Sequence, residues 1–357
     1  MKSKVYSDFL ALVRAGIGQV IAFPRPDIDW PEVRMLAEQQ GLYAVVLDGI
    51  ESLPISSRPP QNLLLEWIGE VLQNYEYQYE QYCKAISELA GFYNSNGYRM
   101  MVLKGYACSL DWTKPEHRPC GDIDIWQFGK QKEADTLIET EKGIKVDTSE
   151  HHHTVYYWGD FLVENHYDFI NVYHHKSHKD YEKILKELGN DNSYSVEVCG
   201  EKVYLPSPNL HALFLFKHMM LHFSTGELNF RQVLDWAFFV KNHSKDIDWP
   251  MILDVLDRFG MKEMFGIINS ICVVELGFGS NLFHYVQFKS DLKDRVLNDI
   301  ISPEFSNDMP KNILRRVVYK CLRWKKNEWK HRLCYNESMW SAFWSGVYGH
   351  LLKPSSI

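Results

Sequence analysis

Apolar residues recur along this chain in two rhythms, and the changes between them divide it. From Asp27 to Leu53, and again from Leu63 through Leu89 to Phe92, they fall at three- and four-residue intervals, which predicts helices. Asp29 stands where a cap belongs, Pro31 lies in the first turn, Gly41 stops the first stretch, and Asn94 to Gly97 closes the second. Residues 1–95 therefore read as an N-terminal helical region. The texture then shortens. YRMMVL at 98–103 is strand-like, HTVYYW and FLVENHYDF flank Gly159-Asp160 as the arms of a β-hairpin over 153–169, and SYSVEV and KVYLPS form a further strand pair around Gly200. KEADTLIETEKG keeps a helical period among them, so 96–207 reads as an α/β core around a small sheet. From Asn209 onward strand signals stop, and successive helical periods run from HALFLFKHMMLHF to KNILRRVVYKCLRW, making 208–357 a C-terminal helical region. The expected class is α/β of the α+β kind, a small mixed sheet flanked by helices.

Within the core, CGDIDIWQF at 120–128 places Asp122 and Asp124 two residues apart in a strand-like run. A period of two puts both carboxylates on one face and Ile123 and Ile125 on the other. Asp is depleted in strands, and two like charges roughly 7 Å apart repel unless water or a cation lies between them. A bare pair of this kind is ordinarily a solvated sheet edge; its surroundings here point further. The strand-like run before it ends in Lys104-Gly105, where a glycine lets backbone approach a phosphate, and Arg118 and Gly121 lead into Asp122. Lys104 and Arg118 are suited to neutralising phosphate charge. On the second arm of the hairpin Glu164, His166 and Asp168 share a face, with Val163, Asn165 and Tyr167 on the other. Three carboxylates converging on one sheet face can hold two divalent cations, as phosphoryl and nucleotidyl transfer require.

In this order, Leu103-Lys104-Gly105, Arg118 with Gly121-Asp122-Ile123-Asp124-Ile125, and Val163-Glu164-Asn165-His166 resemble the uncharacterised bacterial nucleotidyltransferase-like family of the polymerase β-type superfamily. The likeness extends to the Asp29-Trp30 helix, to Pro208–His222 with His218 and His222, to Phe230–Asp235 and to Ile247-Asp248-Trp249, covering roughly residues 25–275. It implies a nucleotidyltransferase-type sheet, with Asp122, Asp124 and Glu164 as catalytic and metal-binding carboxylates for Mg2+ or Mn2+. Lys104, Gly105, Arg118 and Gly121 would receive the nucleoside triphosphate. The implied reaction moves a nucleoside monophosphate to an unidentified hydroxyl acceptor. Two departures stand out: Tyr106 follows Gly105 where the broader superfamily has Ser, and the third carboxylate is Glu. They leave room for a second reading, a non-catalytic nucleotide-binding or antitoxin-like interaction protein that keeps the fold.

Composition narrows the classes. The chain has 357 residues and a net charge of −7, so it is no polycation built to coat nucleic acid. Its most apolar stretch, Leu210–Phe223, is short for a bilayer and carries Lys217 and three histidines; with no secretory signal read at the N-terminus, a cytoplasmic location without a membrane partner is expected. The seven cysteines are scattered with no CxxC, as for reduced thiols. His151, His152 and His153, with His174, His175 and His178 downstream, are read as polar loop residues. His218 and His222 read as an interior hydrogen-bonded pair, and Arg231 and Asp235 as an ion pair within one helix. Residues 311–333 hold nine Lys or Arg interleaved with Tyr319, Trp324 and Trp329. Because Ile313, Val317, Cys321 and Trp324 form an apolar stripe, the segment reads as a packed helix with a basic outer face, with nucleic acid as its lesser alternative. The Trp340–Leu352 stretch is expected to be a final docking helix.

Overall fold

The first predicted helical stretch divides in two. In the computed structural model, which describes residues 4–20, 27–173, 175–226, 228–286, 290–303 and 312–352, helix α1 (Lys4–Gly16) is followed by α2 (Trp30–Gln39) and α3 (Tyr43–Glu51). Asp29 caps α2 by accepting from the Glu32 N–H at 3.3 Å, and the stop after α2 falls at Gly41, whose φ of +64° is left-handed. The second stretch is a continuous run of α4 (Gln61–Val71) and α5 (Tyr77–Ser95) joined by a π-helical turn over Leu72–Glu76.

Six strands follow, interleaved with helices: β1 (Met101–Val102), α6 (Lys104–Ser109), β2 (Ile123–Trp126), α7 (Gln131–Lys142), β3 (His153–Trp158), β4 (Phe161–His166), α8 (His178–Gly189), β5 (Ser195–Val198) and β6 (Glu201–Tyr204). They form one mixed sheet in the order β3-β4-β2-β1-β6-β5. The predicted β3/β4 hairpin turns at Gly159-Asp160, and β2 lies parallel to β4. The first strand keeps only two of the six residues that its pattern suggested, because Leu103 already leads into α6.

One sheet face is greasy. Val102, Ile123, Ile125 and Val163 pack with Ile86, Leu89 and Tyr93 of α5 and with Ala134 and Ile138 of α7. The other face looks toward α9 (Pro208–Thr225), where Trp126 stacks on Phe169 at 4.4 Å and Phe169 meets Phe214 at 5.6 Å. Helices α10 (Phe230–His243), α11 (Trp249–Arg258), α12 (Lys262–Val274) and α13 (Ser290–Ile301) complete this second core together with α1–α3. The first and last parts of the chain thereby close on each other: Tyr6 and Phe9 set their rings against Phe230, and the Gln40 amide donates to Ile300 O and accepts from the Phe230 N–H. Among the described residues no helix is long and apolar enough to cross a membrane. Cys83, Cys108, Cys120, Cys199, Cys272 and Cys334 are free thiols.

The chain ends in α14 (Ile313–Lys326), α15 (Glu328–Cys334) and α16 (Met339–Leu352). Lys311 and the side chains of Ile313, Val317 and Cys321 lie outside the described residues, so the expected stripe is visible only at Trp324, whose ring meets Trp340 of α16 at 5.0 Å. Val318 and Leu322 of α14 and Trp340 and Trp344 of α16 are exposed. Part of the basic run is committed within the fold, where Lys330 is buried against Asp299, while Arg332 pairs with Glu328 on the surface.

Helices α1 and α3 cross with their backbones touching. A β-carbon on Gly16 would lie 2.0 Å from Val45 O, and one on Gly49 would lie 2.1 Å from Leu12 O. Gly49→Ala therefore forces the two helices apart, and the expected cost is about 1–3 kcal/mol; urea denaturation monitored by circular dichroism measures it.

Candidate active site

Parallel pairing of β2 with β4 sets Asp124 directly beside Glu164, and Trp126 beside His166. Since side chains alternate along each strand, Asp124 and Glu164 share the face opposite the greasy one, which is the convergence that the period of two predicts. Asp122 enters just before β2. The Tyr82 hydroxyl of α5 fixes that entry by donating to Asp122 O at 2.8 Å. A β-carbon on Gly105 would lie 2.7 Å from the same hydroxyl oxygen. The glycine expected at a phosphate loop thus has a packing reason as well: it makes room for the tyrosine that holds the aspartate strand. Gly121 is exposed, with open space where a β-carbon would stand.

Asp124 is 2% exposed, and an ionised carboxylate so buried needs counter-charge. Two groups supply it at the same oxygen, Lys104 Nζ at 2.7 Å and His166 Nε2 at 2.9 Å from Oδ1. Burial alone would raise the Asp124 carboxyl, but these neighbours hold it well below the usual carboxylate range. The negative charge of Asp124, followed by burial, lifts Asp122 to about 6. Burial works against the His166 imidazolium, yet its hydrogen bonds to Asp124 and Glu164 carry it up to about 9. Glu164 lies 3.4 Å from His166 Nε2 through one oxygen and 3.8 Å from His153 Nε2 through the other.

His152 and His153, read from the sequence as polar loop residues, also belong here. His153 is the register partner of His166 across the hairpin, and its Nδ1 lies 3.1 Å from His152 Nε2. Ligand atoms of Asp124, Glu164 and His166 lie within 4.8 Å of one another, as do those of His152, His153 and His166. His151 stands aside against the Tyr173 ring, and Asp168 leaves the predicted face to pair with Lys186. His174 lies outside the described residues, and His175 stacks on Tyr335 at 3.8 Å, away from the carboxylates.

Arg118 does not stand free as the sequence suggested. It is 5% exposed, and its guanidinium forks onto Asp235 of α10, with Nε 2.8 Å from Oδ1 and Nη2 3.0 Å from Oδ2. Trp112 Nε1 donates to Asp235 Oδ1 at 2.8 Å. Asp235 is thereby taken from Arg231, the helical partner expected for it. Arg231 is left beside Gly41, in electrostatic reach of Arg118 and Asp122, with no hydrogen-bond or ion-pair partner for its guanidinium among the described residues. Burial, reinforced by the Arg118 charge, holds it below its ordinary range. His218 of α9 completes this wall. Its Nε2 lies 3.0 Å from His222 Nε2, as the interior pair requires, but it also faces Lys104, Asp124 and Arg231. Burial, followed by the Lys104 charge, holds it neutral.

A family model described as uncharacterised nucleotidyltransferase matches residues 26–275. The chain belongs to this nucleotidyltransferase family. The match runs from the approach to α2 to the end of α12, so it contains every side chain that converges on the carboxylates and leaves out α13–α16. No curated protein and no solved structure matches the chain.

Two outcomes follow from the charges. Because the folded state raises Asp122 to about 6 from an ordinary 3.8, it binds that proton more tightly than the unfolded chain does. The stability this confers is present at acid pH and lost as pH rises through about 6. Asp122→Asn removes the loss, so in chelator at pH 8 the variant should be more stable than wild type by about 1–2 kcal/mol. Below pH 4 the difference should vanish; thermal melts at both pH values test this. Arg118→Ala strands the buried Asp235 carboxylate and should cost about 3–5 kcal/mol. The double variant Arg118→Ala/Asp235→Ala should lose less than the sum of the singles in a denaturation cycle.

Proposed function

We propose that this chain is a metal-dependent nucleotidyltransferase that moves a nucleoside monophosphate from a nucleoside triphosphate to a hydroxyl acceptor. The observation carrying this reading is the placement of Asp124 and Glu164 at one level of adjacent parallel strands, with Asp122 at the entry to the same face. Asp122, Asp124 and Glu164 would hold Mg2+ or Mn2+, and their oxygens suit hard divalent cations. Such cations, when bound, neutralise the triphosphate and activate the attacking hydroxyl. The order of motifs supports placing the family in the polymerase β-type superfamily. Free thiols at Cys83 and Cys199, which are not buried, suit a reducing cytoplasm.

The chain's own part is positioning and charge. Arg231 supplies a guanidinium fork to a phosphate of the triphosphate, the role that Arg118 cannot fill while it grips Asp235. Lys104, now on Asp124, would turn to the phosphates where that carboxylate holds a cation, supplying positive charge to them. The acceptor oxygen bonds to the α-phosphorus, the bond to the bridging oxygen breaks, and pyrophosphate leaves with the negative charge that Lys104 and Arg231 face. The hydroxyl proton passes to the carboxylate face. Arg118 acts as a positioning residue, tying the loop before Asp122 to α10. Nucleic acid is not the expected acceptor, since the basic run belongs to packed helices and spends the buried Lys330 on Asp299.

A second reading, nucleotide binding without turnover, is favoured by the Lys104 ion pair, which already neutralises Asp124 in the metal-free protein. Incubation with each α-labelled nucleoside triphosphate, magnesium or manganese, and cell extract separates the two: label moves to an acceptor only for the enzyme. Calorimetric titration of Mg-ATP should show binding to wild type and none to Asp122→Asn/Asp124→Asn. Arg231→Ala should weaken it about ten- to a hundredfold, the loss of one charge-assisted contact. Equal affinity in the double variant and wild type overturns the metal role.

A further inference from the structure

His166 aims a ring nitrogen at two carboxylates, where a proton or a cation must stand between them. Its Nδ1 lies 3.3 Å from Asp168 O, so that nitrogen carries the proton donated to the carbonyl and Nε2 is the atom aimed inward. Nε2 then confronts Asp124 Oδ1 at 2.9 Å and Glu164 Oε2 at 3.4 Å. A lone pair facing two carboxylate oxygens is repelled unless a proton or a cation stands among them. An imidazole oriented by a backbone carbonyl through its other nitrogen is also the usual support of a metal-ligating histidine.

The second arm of the hairpin completes the set. His153 reaches Glu164 Oε1 at 3.8 Å from across the register, and His152 lies behind it at 3.1 Å. His152 is itself tied down, because its carbonyl accepts the Tyr167 N–H at 2.7 Å and the Asp168 N–H at 3.0 Å. A divalent transition metal bound at about 2.0–2.1 Å in a tetrahedral site sets adjacent donors roughly 3.4 Å apart. The Glu164 Oε2 to His166 spacing of 3.4 Å matches that value, and Glu164 Oε1 to His153 at 3.8 Å is somewhat longer. Imidazole nitrogen is a poor donor for magnesium and a good one for zinc, copper, iron and nickel.

We propose that Glu164, His166 and His153, backed by His152, form a binding site for a borderline transition-metal ion of the zinc class, adjoining the Asp122/Asp124 oxygen site and chemically distinct from it. Lys104 faces the same carboxylates from α6 and opposes a second cation, while Glu164 and Glu150 favour one beside His153. The inference rests on the reading of this face as a cation site and shares Glu164 with it. It commits the hairpin to a role that the nucleotidyl reading does not need.

The test uses the untagged full chain, stripped with a chelator and freed of it, and no nucleotide. Titrated with Zn2+ and Mg2+ in a calorimeter, it should bind zinc at one site at least about a hundredfold more tightly than magnesium. Co2+ should give visible absorption of the intensity seen for nitrogen-containing low-coordinate sites. His153→Gln should weaken zinc binding about tenfold or more and alter the cobalt spectrum, with the fold checked by circular dichroism. If His153→Gln fails to fold, His152→Gln takes its place, with the same changes expected. Zinc and magnesium affinities within tenfold of each other, or an unchanged cobalt spectrum in a folded variant, overturn the proposal. A parallel Mg-ATP titration of wild type keeps the two readings apart. Zinc binding without Mg-ATP binding sinks the nucleotidyl reading and leaves this one standing, and the reverse sinks this one.

Discussion

Two carboxylates at the same level of neighbouring parallel strands are the constraint to which the rest of this molecule answers. Asp124 is almost wholly buried, and Glu164 stands next to it with Asp122 close by. Ionised and uncompensated, such a group would be several kcal/mol too costly for a fold of ordinary stability. Lys104 and His166 make it tolerable, and each arrives from an element whose own geometry is fixed, α6 at the end of β1 and the last residue of β4. The register that produces the clash is locked from the opposite face. There Asp135 of α7 accepts from Thr154 of β3 at 3.0 Å and from Asn165 of β4 at 2.8 Å, both side chains fully buried. A slip of one residue would turn Asn165 to the carboxylates and Glu164 into the greasy core.

The helical regions do more than wrap the sheet. Arg118 and Asp235 join the loop before Asp122 to α10 across 117 residues of sequence, and Trp112 braces the same carboxylate. The N-terminal helices hold the other end of α10: Gln40 O accepts the Arg231 N–H at 3.1 Å, the Gln40 side chain accepts the Phe230 N–H at 3.0 Å, and Gly41 gives the Arg231 side chain its berth. Arg231 is thereby pinned by its backbone and left with an uncommitted guanidinium beside the carboxylates. A helix from the start of the chain and one from its last third thus set the position of one cation on the sheet's open side.

What could be read beforehand followed local periodicity. The period of two set Asp122 with Asp124 and Glu164 with His166 because strand geometry is local, while the pairing of β2 with β4 brings Asp124 and Glu164 together, and the Asn94–Gly97 and Gly159-Asp160 signals mark real breaks. Pairings across long separations were not legible. Asp235 has Arg231 at helical spacing, and nothing in the chain says that Arg118 will take it first. His152 and His153 looked like a polar run because their partner, His166, becomes a neighbour only through the hairpin's antiparallel register. That register was in principle available, since a two-residue turn at Gly159-Asp160 pairs residues equidistant from it and sets His153 against His166. Gly105 reads as a phosphate glycine because a bare backbone suits a phosphate; its contact with Tyr82 of α5 is long-range and does not show in the local pattern.

The resting site already has the charge pattern of a loaded one. An ammonium and an imidazole crowd one Asp124 oxygen, so the sheet can fold with its carboxylates together without an ion. On the metal-dependent reading, a cation taking this oxygen would displace Lys104, and the lysine freed in this way would be a positive charge beside whatever anion arrives with the cation. Such an exchange would couple cation to polyphosphate, because a cation carrying phosphates would supply the displaced lysine with a new anionic partner. The same coupling does not govern Glu164. Its second oxygen looks toward His153 rather than Lys104, which makes the hairpin side of the site the part that can accept an ion without first dismantling the ion pair that holds β2 and α6 together.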